Sequence, residues 1–216
     1  MEITYIGQSC FKIKGKSLEI VIDPYEPAQT GYKLPRLSAD IVMTSHDHFD
    51  HNYLEGVSGY KMAITTPGEY EIGDTYIEGI PSFHDSKEGS ERGKNTIFQI
   101  SVDGLNILHM GDLGHILSKD TLEKILDIDV LMIPVGGFYT ITAEVASKII
   151  SSIEPGIVIP MHYREDDKNE LTKNMAPLKK FLDEMGAENV KKLDRLKITK
   201  NDIPDETEIV VLSPSH

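Results

Sequence analysis

Apolar and polar residues alternate along the start of the chain and the alternation breaks at glycine. Residues 3–23 contain I-T-Y-I, F-K-I-K-G-K and L-E-I-V-I-D, a period of two that marks half-buried strands, with Gly15 and Lys16 supplying a turn. The pattern predicts an antiparallel hairpin or meander ending at Asp23-Pro24. Residues 24–38 hold three prolines and a glycine and read as an irregular connection. Residues 40–44, D-I-V-M-T, form a short apolar strand. Further strands are expected over 61–66, 69–72 and 75–80, broken at Pro67-Gly68 and Gly73-Asp74. From Asn95 the run N-T-I-F-Q-I-S-V-D-G-L-N-I-L-H-M-G-D reads as a hairpin, because Asp-Gly between two apolar runs is the dipeptide that a tight turn with two positive φ angles favours.

Beyond residue 116 the period changes and helices alternate with strands. An amphipathic helix is expected over 117–126, with Ser118 or Asp120 as its cap, followed by the apolar strand D-V-L-M-I-P-V. Val145, Ile149, Ile150 and Ile153 fall at helical spacing behind a Thr142 cap, which predicts a helix over 142–153. The strand G-I-V-I-P-M then leads to His162. A helix over 168–185 is expected to kink or restart at Pro177, and L-K-I-T-K and E-I-V-V-L close the chain as strands. Roughly a dozen strand candidates exceed what one sheet usually holds. The fold class expected is α/β (α+β), a four-layer αββα sandwich of two mixed sheets with helices outside; a flat three-layer α/β fold is the alternative.

Bulk composition narrows the picture. The chain has 216 residues, 39% hydrophobic and 26% charged, which suits one domain covering 1–216. A net charge of -13 opposes broad attraction to nucleic acid or an anionic membrane surface, so no nucleic-acid partner is expected. A small anionic substrate remains admissible beside bound cations. Cys10 is the only cysteine, so no intramolecular disulfide forms. With no leader-like start and no apolar run of about 18 residues, a cytoplasmic protein without membrane insertion is expected.

The densest chemistry lies in residues 42–52, V-M-T-S-H-D-H-F-D-H-N. His46, His48, Asp50 and His51 form H-x-H-x-D-H. Two histidines two apart in an extended loop can chelate one divalent ion, and the adjacent Asp-His pair offers donors to a neighbouring position. Imidazole and carboxylate without cysteine suit catalytic zinc or a similar first-row metal. His84, Asp112 and His162 each follow an apolar strand, and strand ends are where layered α/β folds gather their sites.

The motifs T-S-H-D-H-F-D-H, S-F-H-D, H-M-G-D and I-P-M-H-Y, in this order across nearly the whole chain, resemble those of the metallo-β-lactamase-fold hydrolases. The resemblance is strongest to small bacterial and archaeal metal-dependent hydrolases, a branch similar to the L-ascorbate-6-phosphate lactonases and the N-acylphosphatidylethanolamine phospholipases; R-G-K-N-T-I-F and P-V-G-G-F-Y-T belong to that closer likeness. It implies two divalent ions, zinc first and manganese or iron as alternatives. One would be held by His46, His48 and His84, the other by Asp50, His51 and His162, with Asp112 bridging. Such a pair lowers the pKa of a shared water from near 16 to about 7, and Asp50 is expected to orient the resulting nucleophile. The expected reaction is hydrolysis of an ester, lactone or phosphoester in a small-molecule substrate. A phosphodiesterase or nuclease is the enzymatic alternative. It is disfavoured by the acidic charge and by spacings of 33 positions from His51 to His84 and 50 from Asp112 to His162, too short for an inserted nuclease domain. A metal-binding regulatory protein without turnover is the third reading.

Weaker candidates surround these residues. His115, after Gly114, is expected to contact substrate or protonate a leaving group. Tyr139 and Tyr163 are candidates for stabilising an oxyanion. His109 reads as a satisfied core histidine or an orienting partner, and Asp85 as an orienter or a turn residue. Arg92 and Lys94 read as a solvated loop. A homo-oligomer that deepens the cleft is a further expectation.

Overall fold

The computed structural model describes residues 1–165, 169–188 and 190–215. The opening meander forms as predicted: β1 (Glu2–Gly7), β2 (Cys10–Lys14) and β3 (Glu19–Ile22) pair antiparallel in sequence order. After α1 (Pro27–Thr30) come β4 (Leu37–Ser38), β5 (Ile41–Met43), β6 (Val57–Ser58) and β7 (Met62–Ile64). β8 (Gly68–Ile72), β9 (Thr75–Phe83), β10 (Lys94–Val102) and β11 (Leu105–His109) form a second antiparallel meander. Its last turn has Asp103 at φ 54° and Gly104 at φ 80°, the paired positive angles that Asp-Gly favours.

The second half follows with α2 (Lys119–Leu122), β12 (Val130–Pro134), α3 (Ala143–Ile153), β13 (Ile157–Met161), α4 (Leu178–Glu184), β14 (Lys191–Leu193), β15 (Leu196–Lys197) and β16 (Glu208–Leu212). Two sheets result. The first runs β15-β1-β2-β3-β5-β7, the second β14-β16-β13-β12-β11-β10-β9-β8, and β4 and β6 form a separate two-stranded ribbon. This is the expected metallo-β-lactamase-like sandwich.

Strand periodicity explains the layering. In β3 and β5, Ile20, Ile22, Ile41 and Met43 face the core shared with the second sheet, while Val21 and Val42 face a smaller outer cluster with Tyr25, Tyr32 and Leu37. The outer flank of the first sheet is therefore covered by residues 24–39 and the ribbon, with α1 as its only helix of this region. On the other flank α3 presents Ala143, Ala146, Ile149 and Ile150 to the core. Thr142 caps it as predicted, its hydroxyl accepting from Val145 N.

Two helices are shorter than the periodicity predicts. α2 covers only Lys119–Leu122 behind its Ser118 cap, because Leu126 N donates to the side-chain oxygen of Gln99 at 2.8 Å and leaves the helical path. α4 begins after Pro177 instead of near 168. Asn169 Oδ1 accepts from Leu171 N, Ala176 N donates to Gly136 O, and Pro177 has no N–H, so 169–176 is a series of turns; Lys168 lies outside the described residues. β15 pairs with β1, returning the chain end to the first sheet. Among the described residues no helix is long and apolar enough to cross a membrane.

Candidate metal centre

Six strands deliver the site from one end of the sandwich. β3 and β5 are parallel in the first sheet, and β11, β12 and β13 are parallel in the second. β9 and β11 are both antiparallel to β10, so they run the same way. Their carboxyl ends lead into Asp23, the 44–52 loop, His84, Asp112, Gly136 and His162. The physical reason for convergence is thus strand direction.

All seven residues singled out by motif come together there. His46, His48 and His84 offer ring nitrogens within 4.8 Å of one another, and so do the donor atoms of Asp50, His51 and His162. Asp112 lies between the trios. Its Oδ2 is 3.2 Å from His84 Nε2, 3.2 Å from His162 Nε2 and 3.3 Å from His51 Nε2. One carboxylate oxygen thus lies nearly equidistant from three buried imidazoles drawn from both trios.

Electrostatics and unmet hydrogen bonds fit this donor set to divalent cations. Among the described residues the Nε2 atoms of His46, His51 and His162 are buried without a hydrogen-bond partner, an arrangement costly unless a ligand completes it. Burial pushes His46 down to about 2 and also lowers His48 and His162, which keeps them in the neutral, ligating form. Burial opposes the charge on His51 too, but Asp112, Asp50 and Asp23 outweigh it and hold its pKa well above the ordinary imidazole range. Against the penalty of burial, His162 and His51 hold Asp112 well below the usual carboxylate range, and His51 brings Asp50 to about 2. This concentrated negative charge favours a cation at the same place.

Residues beyond the motif set the rings. Asp23, fully buried, accepts from Ser45 N at 2.6 Å and Ser45 Oγ at 2.7 Å, and its Oδ2 is 2.9 Å from His51 Nδ1. The Ser45 hydroxyl hydrogen goes to the carboxylate, so the 3.0 Å contact between Ser45 Oγ and His46 Nδ1 requires the ring to donate. His46 is thereby an Nδ1–H tautomer with its Nε2 lone pair facing the cluster, and His51 keeps its Nδ1–H on Asp23, so the proton that a bound cation would displace is the one on Nε2. Asp112 is held by Ser9 Oγ, which donates to Oδ1 at 3.3 Å, and by its own N–H donating to Asn95 Oδ1 at 3.0 Å. Gly111, at φ 54°, admits no side chain: a Cβ would lie 2.4 Å from Asn95 Oδ1.

The remaining candidates divide. His109 is fully buried; its Nε2 donates to Ser9 O and its Nδ1 accepts from Gly111 N, so it is a satisfied core histidine that braces the Asp112 turn. His115 does not reach the cluster with a free nitrogen. Its Nδ1 donates to Ile116 O at 2.8 Å and its Nε2 accepts from Phe83 N at 3.2 Å, which clamps the Asp112 loop to β9. Tyr163 is buried beside His162. Tyr139 lines a cleft of about 320 Å³ over the cluster, together with Asp50, Asp112, His162 and Arg92. A second cavity of about 800 Å³, walled by Pro67, Pro81 and Phe83, shares His48 and Arg92 with the first.

Asp85 is the organiser of this rim. Its Oδ1 accepts from Lys87 N and Gly89 N, and its Oδ2 from Glu91 N and Arg92 N, at 2.8 to 3.0 Å. Burial disfavours its charge, but these four donors outweigh that and bring its pKa down to about 2. A depressed carboxylate stabilises the fold above its unfolded pKa and loses that contribution as pH falls through the folded one, so the loop keeps its brace down to roughly that pH. Asp23 and Asn95 acquire these roles through contacts 17 to 28 positions away, whereas Asp85 binds N–H groups two to seven positions on; D-P after an apolar strand and H-D after another were the visible traces of the two aspartates.

Comparison with known proteins gives the family. Residues 2–162 match the family model described as a beta-lactamase superfamily domain, a span that contains all seven clustered residues. A UPF0173 metal-dependent hydrolase of Methanoculleus marisnigri is 30% identical, with 76% of this chain and 81% of that one covered. One from Carboxydothermus hydrogenoformans is 28% identical over 76% of this chain and 84% of the relative. A solved Thermotoga maritima protein, assigned to the Zn-dependent hydrolases of the metallo-β-lactamase superfamily, superposes with a TM-score of 0.79 at 31% identity, covering 98% of this chain and 97% of that one. The chain belongs to the metallo-β-lactamase superfamily, among its metal-dependent hydrolases.

Proposed function

We propose that the protein binds two divalent metal ions, most favourably zinc, and hydrolyses an ester, lactone or phosphoester bond in a small molecule. The observation that carries this reading is the position of Asp112 Oδ2, 3.2 to 3.3 Å from three ring nitrogens drawn from both donor trios. His46, His48 and His84 would hold one ion and Asp50, His51 and His162 the other, with Asp112 available to both. Metal ions bound there would lower the pKa of a coordinated water and polarise the substrate oxygen.

The chain's own groups do the rest. Asp23 and Ser45 hold the Nδ1–H groups of His51 and His46, and so the ring orientations, before any ligand arrives, which lowers the reorganisation needed on binding. Asp50, held ionised at the cleft floor, accepts a hydrogen bond from the attacking water and so orients it. Tyr139, on the cleft wall, directs its hydroxyl at the oxygen on which negative charge develops. His115 has no part in proton transfer, since both its nitrogens serve the main chain.

Elemental analysis of the purified protein, paired with turnover of a lactone, a carboxylic ester, a phosphodiester and a phosphomonoester, tests the reading. About two metals per chain and turnover of one panel member are expected. Asp112→Ala is expected to lose both metals and all activity, whereas His162→Ala chiefly empties one position. Equal metal content in these variants and the parent would overturn the ligand assignment.

A further inference from the structure

Arg92 stands apart in this acidic chain by its position. Of the cations near it in sequence, Lys87 pairs with Glu91 at 2.6 Å, whereas exposed Lys94 has no carboxylate partner among the described residues. No carboxylate pairs with Arg92 among the described residues. Its guanidinium carbon instead stands 5.7 Å from the centroid of the Tyr139 ring, and among the described residues it is the one Lys or Arg lining the cleft over the metal centre. It also lines the adjoining cavity, so it stands where the two meet.

Its posture is built into the fold. Arg92 N is one of the four donors to Asp85, at 2.8 Å, Gly93 N donates to Gly89 O, and His84 N donates to Gly93 O. The loop carrying the guanidinium is therefore fastened at both ends to the strand end that carries His84. A planar guanidinium stacked on an aromatic face loses little freedom on binding and presents paired N–H donors that match an oxyanion.

We propose that Arg92, seated on Tyr139, binds an oxyanionic group of the substrate, a carboxylate or a phosphate, set apart from the bond that is cleaved. This rests on the hydrolytic reading of the same cleft and adds the substrate's charge to it. The substrate spans from the metal cluster to the junction of the two cavities, its anion on Arg92. Bound metal ions would offset the Asp50 and Asp112 carboxylates, and Glu91, the other carboxylate on the cleft wall, is paired with Lys87 at 2.6 Å, which leaves Arg92 as the charge an anion would meet there.

The test uses the metal-loaded protein and two chromogenic esters of matched size, neutral p-nitrophenyl valerate and mono-p-nitrophenyl succinate, whose acyl arm ends in a carboxylate. The parent is expected to prefer the anionic ester, and Arg92→Ala to lower the ratio of the two kcat/KM values at least about tenfold, chiefly through KM, with metal content retained. Tyr139→Phe, which keeps the ring and removes the hydroxyl, is expected to preserve the ratio. Binding is read independently by titrating succinate and inorganic phosphate while following the Nε–Hε resonance of Arg92. It is expected to move with the anion that resembles the substrate's group, and Arg92→Ala to weaken that anion's binding at least about fivefold. An unmoved resonance with both anions, or unchanged affinity in the variant, overturns the proposal. Absence of metal, or of turnover of either ester, would count against the hydrolytic reading and leave the resonance to decide the anion site.

Discussion

The two sides of the cluster hold their histidines by different means. On the six-stranded sheet, His46 and His51 are fixed through side chains: Ser45 and Asp23 take their Nδ1 hydrogens and leave Nε2 facing inward. On the eight-stranded sheet, the Nδ1 atoms of His84 and His162 have no hydrogen-bond partner among the described residues. Those rings are placed by main chain. A Cβ on Gly114 would stand 2.3 Å from the His84 carbonyl carbon, and one on Gly136 2.2 Å from the His162 carbonyl oxygen. His162 itself sits at φ 50°, its N–H donating to Gln8 O. One side is preorganised in ring orientation, the other in backbone position. A hydrogen-bonded side should therefore respond to loss of a carboxylate, and a close-packed side to gain of a methyl group.

The larger expected effect is on the packed side. Gly136→Ala forces the 135–139 segment and the His162 turn apart, because the nearest atoms are backbone and have no rotamer to relieve the overlap. Overpacking of this kind costs about 1–3 kcal/mol, or a fall in melting temperature of about 2–12 °C for a chain of this length. Metal content is expected to fall toward half, since His162 serves one trio. An unchanged melt with full metal would show that the two segments do not meet.

Asp23→Ala probes the hydrogen-bonded side. It frees both His51 and, through Ser45, His46, one from each trio, so affinity is expected to weaken at both positions. Loss of such an orienting carboxylate typically costs about 10–100-fold in metal affinity. Competition against a chelator measures it. The comparison fails if only one metal weakens, or if the chain unfolds before metal is lost.

The same division explains what was legible beforehand. The ligand set could be read because metal donors are chemically rare side chains at fixed short spacing, delivered by strands visible as short apolar runs, I-V-M and L-N-I-L-H. The Asp103-Gly104 turn and the Thr142 cap were legible because a local dihedral or a local hydrogen bond selects the residue type. Asp23, by contrast, looks like a strand terminator before a proline; its partners lie 22 and 28 positions away, and no local pattern carries that. Arg92 read as part of a solvated loop because four bonds from one carboxylate, all to main-chain N–H groups, leave no mark on side-chain identity. The helix expected over 168–185 was overestimated because helical spacing of Leu171, Met175 and Leu178 cannot register that Ala176 N is bound to Gly136 O.

The smallest effect falls on His115, which belongs to the packed side yet works by side-chain hydrogen bonds. It joins the Asp112 loop to β9 through Phe83 N and Ile116 O, in parallel with the Gly114 N to Phe83 O bond. The loop is thus tied to the strand twice, and the tighter tie is main chain. His115→Ala removes two partly exposed hydrogen bonds, worth about 1 kcal/mol together, while Gly114 keeps its approach to His84. Metal content and turnover are expected to stay within about twofold of the parent, with a melting temperature lower by about 2–4 °C. A large loss of turnover with metal intact would assign His115 the proton-transfer role suggested by its place after Gly114. It would also require that its ring leave Phe83 N during the reaction, so that a clamp on the packed side opens as substrate is turned over.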